Sequence, residues 1–330
     1  MSDSKFNFIE VCSGAGGLSV GFMNRPFFPV LLNDVDKHCC NTLRQNHPGC
    51  AIKQGSFCDV DFSKYSGSID VLMGGVPCQS FSQAGKRKGL SDERGNLFLE
   101  FLSLIDTVSP KVFLIENVKG LVTHDGGKTM DKILNDLNDK KYNVKWKVLN
   151  SNDYGVPQNR LRLIIVGVRA DIKAEYAFPE PETYKPVLRD ALVDVPESEG
   201  HVYSGRKKEI LAMVPEGGCW VDLPVDVQKE YMKKSYYSGG GKRGIAKRLD
   251  RNKPCLTLTT SPCQKQTEKC HPTETRPLSV REYARIQTFP DTYTFSGSIA
   301  NKYKQIGNAV PVKLAEHLAE SIAKILKTVS

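Results

Sequence analysis

The sequence predicts an α/β protein with a second, smaller, loop-rich domain, and three features carry that expectation. Up to Ala170, short apolar runs alternate with helical patterns. Two of those runs end where a chemically capable side chain would sit on the carboxyl edge of a sheet, the edge at which α/β proteins bind ligands. Beyond Ala170, Pro179, Pro181, Pro186, Pro196, Pro215 and Pro224 interrupt the chain and periodicity is poor, so a boundary is set near Phe178.

Residues 6–11 read as the first strand, followed by Cys12-Ser-Gly14-Ala15-Gly16-Gly17 and a helical pattern over residues 18–23. Strand, glycine turn and helix suit a nucleotide cofactor, because glycines let the backbone approach it and a helix N-terminus offers unpaired N–H groups. The third glycine of the usual G-x-G-x-x-G spacing is missing, with Ser19 and Val20 in its region. Residues 29–33 form a second strand that ends at Asp34 and Asp36. An acid there commonly accepts from ribose hydroxyls. The plainer role is an N-cap for a helix over residues 37–45, and one of the two aspartates can serve that way.

Residues 51–54 and 69–73 are the third and fourth strands. The fourth runs into Gly74-Gly-Val-Pro77-Cys78, where glycines break the strand and proline fixes the backbone ahead of a candidate nucleophile, Cys78. The alternative for Cys78 is a small buried hydrophobe. Residues 79–92 are polar, with Gly85, Gly89 and Lys86-Arg87-Lys88, and read as a cationic lid or as a plain surface loop. A helix opens at Arg94 and runs to about Thr107. The fifth strand, residues 110–115, delivers Glu116-Asn117 to the same edge as Cys78, with a helix cap as the plainer reading of Glu116. A helix over 131–140 and strands over 142–149 and 163–168 follow. Arg160 and Arg162 precede the last strand and share a face if it begins there; paired guanidiniums suit a carboxylate or phosphate. Residues 278–287 are helical, and residues 312–327 form an amphipathic helix with Leu314, Leu318, Ile322 and Leu326 in line.

Composition narrows the class. The 330 residues are 40% hydrophobic and 25% charged, and no apolar run approaches the roughly 18 residues of a membrane span. Met-Ser-Asp-Ser-Lys has no apolar signal core, which points to a cytoplasmic protein. The ten cysteines show no C-x-x-C pair and read as reduced thiols; Cys263, Cys270 and His271 lie close but lack paired zinc-ligand spacing, so no metal is expected. The net charge is +9, and residues 201–281 carry 16 Lys/Arg against 8 Asp/Glu while the rest is near neutral. A basic region so confined points to a polyanion, nucleic acid first, over a merely lysine-rich surface.

Six stretches, in this order, resemble the cytosine-carbon-5 DNA methyltransferases of the bacterial or viral restriction-modification type. Ser13-Gly-Ala-Gly-Gly17 is similar to the first cofactor motif and Gly74-Gly-Val-Pro-Cys-Gln79 to the Pro-Cys motif. Glu116-Asn-Val118 and Gln158-x-Arg160-x-Arg162 resemble the next two. Arg281-Glu-x-Ala-Arg-Ile-Gln287 with Phe289-Pro290, and Tyr303-Lys-Gln-Ile-Gly-Asn308-Ala-Val-Pro311, resemble the last pair. The resemblance leaves out about residues 180–275, the family's variable target-recognition region.

The resemblance implies the Rossmann-like fold of S-adenosylmethionine-dependent methyltransferases: a mostly parallel sheet with helices on both faces. Residues 1–178, completed by 300–330, would form that domain, and 179–299 a small loop-rich target-recognition domain, with double-stranded DNA between them. It implies S-adenosyl-L-methionine as cofactor, contacted by Cys12, Gly14, Ala15, Gly16, Asp34, Pro77, Leu97, Asn308 and Val310. Cys78 would add to carbon 6 of a flipped-out cytosine, Glu116 would donate to ring nitrogen 3, and Arg160 and Arg162 would hold the base's oxygen, Glu116 or nearby backbone. Ser82, Lys86, Arg87 and Arg94 of the lid, with Thr257, Arg243 and Arg248, would meet DNA; Arg251 and Gln264 are further candidate readers. The chain departs from the family at Cys12 for phenylalanine, Asp34 for glutamate, Val76 for proline, and Ser56 where an aspartate often meets the adenine amino group. Two alternatives remain: a methyltransferase acting on tRNA, whose usual Cys-Phe-Thr triplet is missing here, and a catalytically silent DNA-binding protein. A dinucleotide-dependent oxidoreductase fits the first motif alone. The expected enzyme works as a monomer on a short site.

Overall fold

The computed structural model describes residues 6–76, 96–238 and 244–329. Its centre is a seven-stranded sheet in the order β3-β2-β1-β4-β5-β8-β6. The elements of the first half are β1 (Phe6–Val11), α1 (Gly17–Met23), β2 (Phe27–Asp34), α2 (Lys37–Asn46), β3 (Ala51–Gln54), β4 (Val71–Gly74), α3 (Asn96–Val108) and β5 (Val112–Val118). They continue through α4 (Gly120–Thr123), α5 (Lys128–Asn138), β6 (Tyr142–Asn150), β7 (Gln158–Asn159) and β8 (Leu161–Arg169). The remainder comprises α6 (Leu188–Ala191), α7 (Gly205–Met213), α8 (Val225–Met232), β9 (Cys255–Leu256), α9 (Val280–Ile286), α10 (Ile299–Asn308) and α11 (Val312–Leu326).

Strands β1 to β5 pair in parallel, whereas β8 runs antiparallel to both β5 and β6. Both faces are covered. On β1, Phe6 and Phe8 pack with Phe22 of α1 and with Leu314, Leu318 and Ile322 of α11. Ile9 and Val11 point the other way, onto Phe101 and Ile105 of α3 and Ile133 and Leu137 of α5. Burial on both sides explains why the inner strands read as continuous apolar runs. Glycine lets α1 approach α11: a Cβ on Gly21 would meet the Ala315 Cβ at 2.4 Å.

The reversed β8 positions the chemistry. The β5–β8 ladder aligns Glu116 with Ile164 and Val118 with Arg162, which brings the start of β8 beside the end of β5. The same ladder carries β5 through Asn117 to Val118, past the strand end expected at residue 115, because pairing with β8 holds those residues extended. Strand β2 opens two residues earlier than expected, at Phe27, paired to Phe6. Helix α5 starts after Gly127, whose φ of 96° is left-handed, and not at residue 131.

Two further apolar clusters lie beyond the sheet. One joins Tyr283, Ile286, Phe289, Tyr293, Tyr303 and Ile306 to Ala15 and Val20 of the glycine turn and α1. The other joins Ile210 and Leu211 of α7, Val227 and Met232 of α8, Ile245, Ala246 and Cys270. The stretch expected as one small domain, residues 179–299, thus contributes to two cores. The expected loop-rich texture there is accompanied by α7 and α8, two short helices, of which α7 has almost no amphipathic periodicity to announce it. Among the described residues no helix is long and apolar enough to cross a membrane.

Candidate active site

A cavity of about 610 Å³ opens at the carboxyl ends of β1, β2, β4 and β5. Of the residues expected at a cofactor, Cys12, Gly14, Asp34, Ser56, Leu97, Asn308 and Val310 line it. So do Glu116, Arg160 and Arg162, together with Gly75 and Val76. Pro77, Cys78, Ser82, Lys86, Arg87, Arg94 and Arg243 lie outside the described residues.

The glycine turn shapes one end. Cys12 takes φ 54°, Gly14 54° and Gly16 83°, three left-handed residues in a short span, and the non-glycine Cys12 is strained there. Gly14 N donates to Asp34 Oδ2 at 2.7 Å, and Asp36 N donates to Asp34 Oδ1 at 2.8 Å. Burial raises the Asp34 pKa, while those two N–H groups pull it the other way. Asp36 is the cap of α2, accepting from His38 N at 2.8 Å, and it also accepts from Lys304 Nζ at 3.0 Å. Asp36 thus takes the capping role that the spacing left open between the two, while Asp34 lines the cavity. Ser56 accepts from Cys58 N at 3.2 Å and lines the cavity beside Phe57.

Ala15 and Gly16 correct the expected cofactor set, since neither lines the cavity. Ala15 is fully buried and its carbonyl accepts from the Tyr293 hydroxyl at 2.6 Å. Gly16 is the N-cap of α1, where a Cβ would strike Leu43 and Tyr293.

At the other end, Arg162 Nε lies 2.8 Å from Glu116 Oε1, both side chains being 12% exposed. Burial raises the Glu116 pKa; Arg162 and Arg160 oppose it without cancelling it. The buried Asn117 Nδ2 donates to the Val76 carbonyl at 2.9 Å, fixing the segment that leaves β4.

Arg160 does not share the environment of Arg162. Strand β8 begins at Leu161, so Arg160 sits in the gap after β7, 1% exposed. Its guanidinium donates to the carbonyls of Leu258 (3.1 Å), Gly307 (2.8 Å) and Ala309 (2.9 Å). Gln158 completes the junction: its Nε2 donates to Gln287 Oε1 at 2.8 Å, and its Oε1 accepts from Leu258 N at 2.9 Å. Gln287 in turn donates to the carbonyls of Ile306 and Ala309. Three of the sequence motifs are therefore one buried polar joint.

The expected DNA readers fare differently. Arg248 is a correction: it is 5% exposed, and all five of its donors go to Val214, His271, Glu274, Leu211 and Thr275. A guanidinium so occupied braces the small core and has no donor left for a base edge. Thr257 is exposed, but its hydroxyl donates to the Asn159 carbonyl at 2.7 Å, supporting the β7–β9 pairing. Arg251 pairs with Glu216 at 2.8 Å, and Gln264 is exposed, reaching Thr260 at 3.3 Å. Cys270 contacts the Glu274 carbonyl and His271 Nδ1 accepts from Glu274 N at 3.2 Å; among the described residues no three metal-ligating groups converge.

Sequence reading missed Glu10 and Lys304, both in the cavity wall. Glu10 is 2% exposed, and its Oε2 has no hydrogen-bond partner among the described residues. Burial drives its pKa up to about 8; Ser19 opposes the rise and Asp34 adds to it. An acid inside an otherwise apolar strand was the available signal.

The donor set fits S-adenosylmethionine, a net cation with ribose hydroxyls. The buried Glu10, whose Oε2 has no partner among the described residues, lines the cavity with Asp34 and Asp36, and a Cβ added at Gly14 would meet nothing within 4 Å. Sheet order, reversed β8 and cavity together define a methyltransferase of the S-adenosylmethionine-dependent class. A solved structure from an E. coli prophage, assigned as a DNA modification methyltransferase, has the same fold: TM-score 0.73, 25% identity, covering 98% of this chain and 100% of that chain. The family described as C-5 cytosine-specific DNA methylase matches residues 6–324, and the chain belongs to that family. The type II methyltransferase M.Eco47II of Escherichia coli is 50% identical over all of this chain and 82% of its own length. M.Sau96I of Staphylococcus aureus is 48% identical over 97% of this chain and 76% of its own. The protein is thus a DNA (cytosine-5-)-methyltransferase of the restriction-modification kind, with S-adenosylmethionine as methyl donor.

Proposed function

We propose that the chain methylates a cytosine within a short duplex site, as a cytoplasmic monomer, through a covalent bond from Cys78 to carbon 6 of a base turned out of the helix. The reading rests on one observation above others: the buried Arg162–Glu116 pair, 2.8 Å apart, beside the segment that leads through Val76 toward Cys78. S-adenosylmethionine, when bound, supplies an electrophilic methyl group. The residues at its end are Cys12, Gly14, Asp34, Ser56, Leu97, Asn308 and Val310.

The Cys78 thiolate adds to carbon 6, and the displaced electron pair makes carbon 5 nucleophilic. Glu116, whose pKa burial raises, donates in its protonated form to ring nitrogen 3 as charge builds there. Arg162 orients Glu116 from the neighbouring strand, and Arg160 is a positioning residue that holds the joint behind both. After carbon 5 is methylated it loses its proton to solvent or a basic group, the double bond re-forms, Cys78 leaves with its electron pair, and ring nitrogen 3 returns its proton to Glu116. Residues 1–178 with 300–330 carry this chemistry, and 179–299 include the target-reading part, whose basic surface suits phosphates.

Methyl transfer from labelled S-adenosylmethionine to mixed-sequence duplex DNA tests this reading. Wild type is expected to label cytosine, Cys78→Ala to label none, and Glu116→Gln to slow by about 10²–10⁴-fold. Wild-type rates in Cys78→Ala would overturn the assignment of the nucleophile.

A further inference from the structure

Glu10 sits at the cavity but outside the reaction just described. The titratable and polar groups that act on Glu10, or on which it acts, come from α1, β2 and three connecting segments. Cys12 follows the end of β1, Ser19 is on α1, Asp34 ends β2, Cys50 follows α2, and Tyr293 follows α9. Burial pushes the thiols of Cys12 to about 12 and Cys50 to about 11, and raises Tyr293, so all three are uncharged near neutral pH. His47, bonded to the Tyr293 hydroxyl, is pushed down to about 4 and is also neutral. The charged neighbour of Glu10 is therefore Asp34, of the same sign. The cation at this end of the cavity, Lys304, is bonded to Asp36.

Among the described residues, the one charge that acts on Glu10 is that of Asp34, of the same sign, and its Oε2 has no donor. The methyl donor brings the missing charge. S-adenosylmethionine carries a sulfonium, an ammonium and a carboxylate, net +1; S-adenosylhomocysteine has lost the sulfonium and is net neutral.

We propose that Glu10 is the residue by which this protein tells its charged methyl donor from its uncharged product: protonated in the free protein, it releases its proton when S-adenosylmethionine enters and keeps it when S-adenosylhomocysteine is bound. The carboxyl O–H bond breaks heterolytically, its electron pair stays on Glu10 and the proton goes to buffer. Once the methyl group has moved, the sulfonium is gone, Glu10 takes a proton back, and the product loses its electrostatic hold. The inference rests on the reading of this cavity as the cofactor site.

Calorimetric titration of the full chain at pH 7, in phosphate and in Tris, counts the protons released. Wild type is expected to release about one proton per S-adenosylmethionine and close to none with S-adenosylhomocysteine. At pH 9, where Glu10 is already ionised, the release with S-adenosylmethionine should vanish. Glu10→Gln should release none with either ligand, and its preference for S-adenosylmethionine should fall on the order of tenfold. Equal proton counts for the two ligands in wild type would sink the inference while leaving the cofactor site standing, and that comparison needs no variant to fold. Wild-type release in Glu10→Gln would sink it equally. If neither ligand binds, the cavity assignment itself fails and this role of Glu10 with it.

Discussion

Glu116 shows how one residue's setting decides its chemistry. Its partner Arg162 favours the carboxylate, but burial is the larger influence and the pKa stays raised. An acid that works in its protonated form loses effect as pH rises through that raised value. The kcat profile of wild type should therefore fall on an alkaline limb displaced above the ordinary glutamate range, and Glu116→Gln should abolish that limb, as stopped-time assays across pH 5–9 would reveal. Arg248 teaches the opposite lesson. Its position in a basic stretch suggested DNA, yet its five donors are consumed internally. Arg248→Ala should lower stability by about 2–4 kcal/mol, since buried carbonyls lose their partners, without altering which sequence is methylated. Thermal melting with bisulfite mapping separates the two effects.

At the scale of elements, the joint behind the active site links the β7–β8 gap, the C-terminus of α10 and the β9 exit. Gly307 allows it: a Cβ there would lie 2.1 Å from the Thr259 carbonyl. Backbone cannot yield as a flexible side chain does, so Gly307→Ala should cost about 1–3 kcal/mol and shift the Asn308–Val310 end of the cavity. Weaker S-adenosylmethionine binding with DNA binding less affected is the expected pattern in separate titrations. Helix α11 is set by its own sequence. Leu318, fully buried against α1 and the sheet, should cost about 2–5 kcal/mol on truncation to Ala, measured by urea denaturation.

For the whole molecule, Glu10 makes stability depend on pH. Its pKa is about 8 in the fold against an ordinary 4.5, so the folded chain holds a proton that the unfolded chain has lost. That contribution is fully present below about pH 4.5 and is lost as pH rises toward 8, on the order of a few kcal/mol. Glu10→Gln should flatten this slope in denaturation curves taken between pH 5 and 8. The basic composition of residues 201–281 acts at the same scale. With roughly 6–10 phosphates neutralised, DNA affinity should drop about 10³–10⁵-fold between 50 and 200 mM salt, while cofactor affinity stays nearly constant.

Local signals were enough for several features. The apolar runs of β1 and β4, the glycine turn, the leucine line of α11 and the motif order are properties of neighbouring residues, and strands and amphipathic helices declare themselves over such distances. Because the motifs lie in order along the chain, the family and the fold class followed as well. Tertiary structure alone decided the rest. The start of β8 at Leu161 separated Arg162, beside Glu116, from Arg160, buried against three carbonyls, though the two alternate in sequence. Packing turned Ala15 and Gly16 away from the cavity, consumed Arg248 and exposed Glu10 as an acid without a counter-charge. Burial and hydrogen-bond partners set what a polar side chain does, and both come from segments far away in the chain.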